Sequence, residues 1–299
     1  MKSKEELIFR YSMKLAGLLA PLQNRGNGRL ISGGIQRSYL LHVPETYNPA
    51  VLTPLVISLH GFGEWPAHQM QISHWNDLAD QHGFIVVYPC GTETPLRWHI
   101  FGQSGNDPEL MRDVTFISEL IDELESQYNL DPVRIYVNGL SNGGGMSFVL
   151  SCKLSERIAA FGSIAGLYIL PWSECRPVRA VPGIIFHGTA DPLVPFAGGV
   201  SGHSGYPFPA IPDWVAALAR NLGCQENSTE LPRIGKVEGI RFRNTDSSAE
   251  VVFYTVHEGG HSWPGGGSLP KFIAGSTNRD IDATKLMWDF FQAHPVRGI

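Results

Sequence analysis

Short apolar runs rich in β-branched residues recur at residues 38–43, 55–59, 84–88, 133–137, 161–164, 183–186 and 251–256, each bounded by Gly, Pro or polar turn residues. Their length and composition predict strands. Segments of helical period lie between them. The clearest opens with Asp107 as N-cap and Pro108 at the first helical position, then repeats Leu110, Val114, Ile117, Ile121, Leu124 and Tyr128 on one face. Further helices are expected at residues 74–81, 143–153, 212–221 and 283–293, the last carrying Leu286, Met287, Phe290 and Phe291. Strands that alternate with helices need crossover connections, so the expected class is α/β, a mostly parallel central sheet with helices on both faces.

The 299 residues, 43% hydrophobic and 17% charged, suffice for the core of one such domain. No repeat, linker or long charge block marks a boundary. Residues 1–34 read as an N-terminal extension of helical character and residues 35–299 as a single catalytic domain. A net charge of -5 offers no basic footprint for phosphate, which argues against a nucleic-acid partner. Charges at Glu5, Glu6, Arg10 and Lys14 interrupt any secretory apolar core, so no signal peptide is visible. The apolar stretches are strand-sized, well short of the roughly 20 residues of a membrane span, so no membrane partner is expected. Four cysteines (Cys90, Cys152, Cys175 and Cys224) are too scattered for a zinc ribbon and leave buried thiols and one or two disulfides equally open.

One turn carries chemistry. Residues 133–138 form a strand, Gly139-Leu140-Ser141-Asn142-Gly143 a G-x-S-x-G turn, and the residues after it a helix. A serine on so sharp a turn takes strained angles, and its neighbours two before and two after must be almost free of side chain. The following helix N-terminus favours developing negative charge there. Ser141 is thus the expected nucleophile.

A serine of this kind needs an acid and then a histidine, each in a loop after a later strand. Residues 183–186 run into His187-Gly188-Thr189-Ala190-Asp191, making Asp191 the acid. Residues 251–256 run into His257-Glu258-Gly259-Gly260-His261, making His261 the base. In this scheme His261 takes the Ser141 proton and returns it to the leaving group, while Asp191 orients the imidazole. The oxyanion donors are expected to be the backbone N–H groups of Asn142 and of Phe62, in the loop His60-Gly61-Phe62-Gly63. His60, His187 and His257 are read as structural.

His257 to His261 also spells H-E-x-x-H, a zinc signature. That chemistry needs a helix to stack the histidines one turn apart, and two central glycines each cost about 1 kcal/mol in a helix. Pro264 follows within a turn, and the next histidine is His294. Neither a metal nor another cofactor is expected.

Taken together, Leu59-His60-Gly61-Phe62-Gly63, Gly139-Leu140-Ser141-Asn142-Gly143-Gly144, His187-Gly188-Thr189-Ala190-Asp191 with Val194-Pro195, and Gly260-His261-Ser262-Trp263-Pro264-Gly265 resemble the polyhydroxybutyrate depolymerase and feruloyl esterase family of α/β-hydrolases, over residues 37–291. The resemblance implies an α/β-hydrolase fold, the same Ser141, Asp191 and His261 triad, and an extracellular esterase acting on small or oligomeric hydroxycinnamoyl or short hydroxyalkanoate esters. Trp263, Trp98 and Phe101, with Trp65, Tyr206 and Phe208 nearby, are the aromatic residues expected to line an acyl pocket. A peptidase or thioesterase using the same triad, and a non-catalytic binding protein of this fold, are the alternatives.

Overall fold

The computed structural model describes residues 26–100, 104–202, 204–225, 228–244, 249–267 and 270–296. Its strands are β1 (Gly28–Ser32), β2 (Ile35–His42), β3 (Thr53–Leu59), β4 (Ile85–Pro89), β5 (Leu130–Leu140), β6 (Ala160–Ile164), β7 (Gly183–Gly188), β8 (Gly199–Val200), β9 (Pro207–Phe208), β10 (Thr229–Ile234), β11 (Val237–Arg243) and β12 (Glu250–Val256). Its helices are α1 (Pro66–Ser73), α2 (Trp75–His82), α3 (Pro108–Gln127), α4 (Asn142–Lys153), α5 (Ile211–Asn221), α6 (Lys271–Ala274) and α7 (Ala283–Ala293).

Among the described residues, ten strands form one sheet in the order β1-β2-β4-β3-β5-β6-β7-β12-β11-β10. From β4 through β12 every neighbouring pair is parallel. Antiparallel strands flank this block, β2 and β1 at one side, β11 and β10 at the other. The chain therefore has the α/β-hydrolase fold that the resemblance implied.

Strands buried on both faces must be apolar at every position, with successive side chains serving opposite cores. In β3, Leu55, Ile57 and Leu59 enter one core and Val56 the other; in β12, Val251 and Phe253 oppose Val252 and Val256. The first core is closed by α3, α4 and α5, the second by α1, α2 and α7. On α7, Trp288 stacks on Phe84 at 4.0 Å and Phe291 on Tyr136 at 4.8 Å between ring centroids.

Helix α3 starts where its cap predicts. The Asp107 carboxylate accepts from the N–H groups of Glu109 and Leu110 at 3.0 and 3.2 Å, and Pro108 needs no acceptor. Two features differ from the sequence expectation, and the open cysteine pairing is resolved. Residues 28–32 belong to the sheet, joined to β2 by Gly33 and Gly34 at φ 54 and 78, so the ordered domain begins before residue 35. Residues 1–25, with their helical reading, lie outside the described residues. The hairpin β10–β11 escapes a search for apolar runs because its edge strand is exposed and carries Glu230, Pro232 and Arg233. Cys152, at the end of α4, is disulfide-bonded to Cys175, while Cys90 and Cys224 are buried thiols.

Replacing the α3 cap, Asp107→Ala, is expected to lower stability by about 1 kcal/mol. Urea unfolding that gives the same midpoint for both proteins would contradict the capping role.

Candidate active site

Ser141 occupies the junction between β5 and α4 at φ 58, ψ -118, a region that non-glycine residues seldom enter. The junction is tight. A Cβ on Gly139 would lie 2.5 Å from the Gly143 carbonyl carbon, and one on Gly143 would lie 2.3 Å from the Leu59 oxygen. The Ser141 N–H donates to Ile164 O at 2.8 Å, and its carbonyl accepts from Gly145 and Leu167. The strained turn is thus held from both sides.

Asp191 follows β7 and His261 follows β12, the adjacent parallel strand. The Asp191 Oδ1 accepts from the N–H groups of Leu193 and Val194, each at 2.8 Å. Its Oδ2 accepts from His261 Nδ1 at 2.8 Å. A carboxylate can only accept here, so Nδ1 of His261 carries the proton and Nε2 keeps its lone pair. Burial pushes Asp191 up, but the charge and hydrogen bond of His261 outweigh it and hold the carboxyl below its ordinary range. Burial pulls His261 down, and Asp191 more than reverses this, so the imidazole is raised above its usual 6.5. Ser141, Asp191 and His261 all stand at the carboxyl ends of parallel strands. Among the described residues no hydrogen bond joins Ser141 Oγ to His261, a bond that is often long in unliganded sites.

His60 donates from Nδ1 to Gly61 O at 2.8 Å and accepts at Nε2 from Gly91 N–H at 2.9 Å. Complete burial pushes it down to about 4, so it is a neutral brace. Asn142 has a second part beyond its backbone N–H. Its side-chain amide pairs with the Trp98 backbone, accepting at 2.7 Å and donating at 3.0 Å, while Trp98 Nε1 donates to His60 O. Neither the Phe62 N–H nor the Asn142 N–H donates to a protein acceptor among the described residues.

The aromatic pocket expected from sequence needs correction. Trp98 is fully buried as a brace of the His60 loop, and Trp263 is fully buried with its indole donating to Thr284 Oγ1 at 2.9 Å. Neither presents surface to a ligand, because each indole N–H is tied to an interior acceptor. Phe101 lies outside the described residues. Exposed aromatic surface is found at Tyr206, one of the aromatics expected from sequence, and at Phe272. The Tyr206 hairpin docks through Ser201 on Leu193, two residues from Asp191, and α6, which carries Phe272, accepts the His261 N–H at Ala274. Phe272 carried no sequence signal.

The His257 to His261 segment is a turn with Glu258 at φ 57, not a helix. His257 pairs with Glu238 at 2.9 Å and His261 with Asp191, so the two rings are not arranged for one ion. His187 donates from Nε2 to Val194 O at 2.9 Å and lies 3.4 Å from Asp191. Sequence reasoning also missed Glu64, a buried carboxylate one residue beyond the expected oxyanion loop. It missed the buried network in which Asn138 accepts from Ser58 and Trp75 and Ser58 accepts from Gln69 as well.

An Esterase PHB depolymerase family model matches residues 37–174. NocK of Nocardia uniformis subsp. tsuyamanensis, a protein named as an esterase, is 30% identical over 281 residues, covering 87% of this chain and 80% of NocK. The bifunctional acetylxylan esterase/xylanase XynS20E of Neocallimastix patriciarum is 34% identical over 154 residues, 52% of this chain, and the match spans 22% of its length. The solved acetyl xylan esterase from Aspergillus awamori superposes with a TM-score of 0.61 at 15% identity, covering 89% of this chain and 98% of that one. At that identity the likeness is one of fold.

His60 sets an acid limit on stability. Its site refuses a proton until about pH 4, whereas the unfolded chain takes one near 6.5. The unfolded state therefore binds more protons in that window, and roughly 3 kcal/mol present above pH 6.5 is lost as pH falls to about 4. His187, lowered mainly by burial, acts in the same direction. Urea midpoints of wild type and His60→Asn across this window should fall less steeply for the variant; parallel curves would refute the assignment.

Proposed function

Because this chain belongs to the polyhydroxybutyrate depolymerase and feruloyl esterase family, carboxylic ester hydrolases of the α/β-hydrolase fold, we propose that it cleaves carboxylic esters through Ser141, His261 and Asp191. The observation that carries this reading is the Asp191–His261 hydrogen bond at 2.8 Å, with Ser141 on a strained elbow at the same carboxyl edge of the parallel strands. Ser141 Oγ adds to the ester carbonyl carbon as His261 Nε2 takes its proton. The tetrahedral oxyanion receives the N–H groups of Phe62 and Asn142 at the start of α4. Collapse breaks the bond to the alkoxy oxygen, and His261 returns its proton to the departing alcohol. Water, deprotonated by His261, then releases the acid from Ser141.

The acyl group we propose is a hydroxycinnamoyl or a short hydroxyalkanoyl unit on a small or oligomeric alcohol. Exposed Tyr206 and Phe272, carried by segments anchored to the Asp191 and His261 loops, supply apolar surface for such a group. The acetyl group named for two of the relatives is the smaller alternative. Rates on methyl ferulate, acetylated xylan, hydroxybutyrate oligomers and short p-nitrophenyl esters separate these choices. Matched p-nitrophenyl ester, thioester and anilide substrates separate an esterase from a thioesterase or peptidase.

A serine-directed phosphonate is expected to label Ser141 covalently; folded protein that takes no label would sink the proposal and favour a binding protein. Ser141→Ala should cost on the order of 10⁶ in kcat, and Asp191→Asn about 10⁴ through the wrong tautomer.

Catalysis requires neutral His261, which Asp191 holds above 6.5. The value of kcat/KM should therefore rise with pH through a midpoint above 6.5 and flatten beyond it. A profile already flat at pH 6 would rule out His261 as the base.

A further inference from the structure

Glu64 directly follows the loop after β3, yet its side chain turns inward and the residue is 6% exposed. A carboxylate taken out of water must recover hydrogen bonds and an opposite charge. Glu64 finds both. Oε2 accepts from the Gly61 N–H at 3.0 Å and lies 3.5 Å from His68 Nδ1, near the start of α1. The approach is close: a Cβ on Gly61 would stand 2.9 Å from Oε2.

These contacts fold residues 61–64 into a closed turn. The Gly61 N–H is spent on Glu64, the Gly63 N–H on Leu96 O at 2.7 Å, and the Glu64 N–H on Gly61 O at 3.2 Å. The Phe62 N–H is left over for a ligand. The charge of the turn matters as well. Burial pushes Glu64 up, but His68 and the Gly61 N–H outweigh it and hold the carboxyl below its ordinary range, so it is an anion at neutral pH. That anion acts on His261 in the same sense as Asp191. The groups facing His261 are Asp191, Glu64 and His187; those facing Glu64 are His68, His60 and His261.

We propose that Glu64 is a positioning residue of the ester-cleaving site: through Gly61 it holds the turn that presents the Phe62 N–H. The proposal rests on the triad reading given above. Two variants separate position from charge. Glu64→Gln keeps an acceptor for Gly61 and removes the charge, whereas Glu64→Asp keeps the charge and withdraws the acceptor by one methylene.

The experiment compares pH profiles of p-nitrophenyl acetate hydrolysis for wild type and both variants, with kcat normalised by phosphonate titration of the reactive serine. In Glu64→Gln the acid limb of kcat/KM should move down by about half a pH unit, as expected when a neighbouring anion is lost. In Glu64→Asp the limb should stay in place while kcat falls about 10-fold from a misplaced oxyanion donor. A merely structural glutamate would lower the titrated fraction of active enzyme and leave the normalised kcat alone. A normalised kcat of Glu64→Asp equal to wild type overturns the proposal, whatever the profile of Glu64→Gln. Wild type that takes no phosphonate would instead overturn the triad reading itself, so the two failures are distinguishable.

Discussion

At the Ser141 turn the backbone between β5 and α4 passes so close to the end of β3 that one methyl group on Gly143 would lie 2.3 Å from the Leu59 oxygen. The architecture of the site follows from that approach. It requires β3 and β5 to be neighbours, paired in parallel from Leu55↔Ile135 to Leu59↔Gly139. This places the loop after β3 beside the first turn of α4, where unspent N–H groups and the helix dipole favour an anion. It also forces Ser141 to φ 58, a cost offset by its N–H donating to Ile164 O and its carbonyl accepting from the N–H groups of Gly145 and Leu167.

Among the described residues, Asp191, Glu64 and Asp113 are buried carboxylates, each tied to a basic side chain and to backbone N–H. Asp191 has His261 with the N–H groups of Leu193 and Val194, and Glu64 has His68 with the Gly61 N–H. Asp113 has Arg37 at 3.0 Å on one oxygen and His99, through both its ring and its backbone N–H, on the other. Unpaired, Asp191 and Glu64 would each be driven to the neutral form. Paired, they keep fixed charge in a low-dielectric interior, where it acts on neighbours more strongly than in water. The neutral His60 contributes differently, since its two ring nitrogens knit Gly61 to Gly91 without adding charge.

Legibility in the sequence tracked how local each cause was. Helix α3 was readable to its first residue because Asp107 and Pro108 act within one turn. The parallel strands were readable because burial on both faces forces continuous apolar runs. The edge hairpin β10–β11 was not, because one buried face and a charged outer face leave no such run. Trp98 and Trp263 were misplaced for a related reason. Proximity in sequence to His60, Asn142 or His261 says that an aromatic is near the site, not which way its ring faces, and here both indoles point into the interior.

The sequence by itself determined the class of fold, a serine on a glycine-flanked elbow, and an aspartate and then a histidine in the loops after two later strands. These follow from periodicity and from glycines at fixed offsets, which are properties of adjacent residues. Only the tertiary structure decided that His257 and His261 take separate carboxylates instead of sharing an ion, because their partners, Glu238 and Asp191, come from distant strands. It likewise decided that Cys152 bonds Cys175, and that Glu64 turns inward beneath the loop it follows. Each of these depends on which segments the sheet order brings together, and strand order is set by packing of the whole chain rather than by any local run of residues.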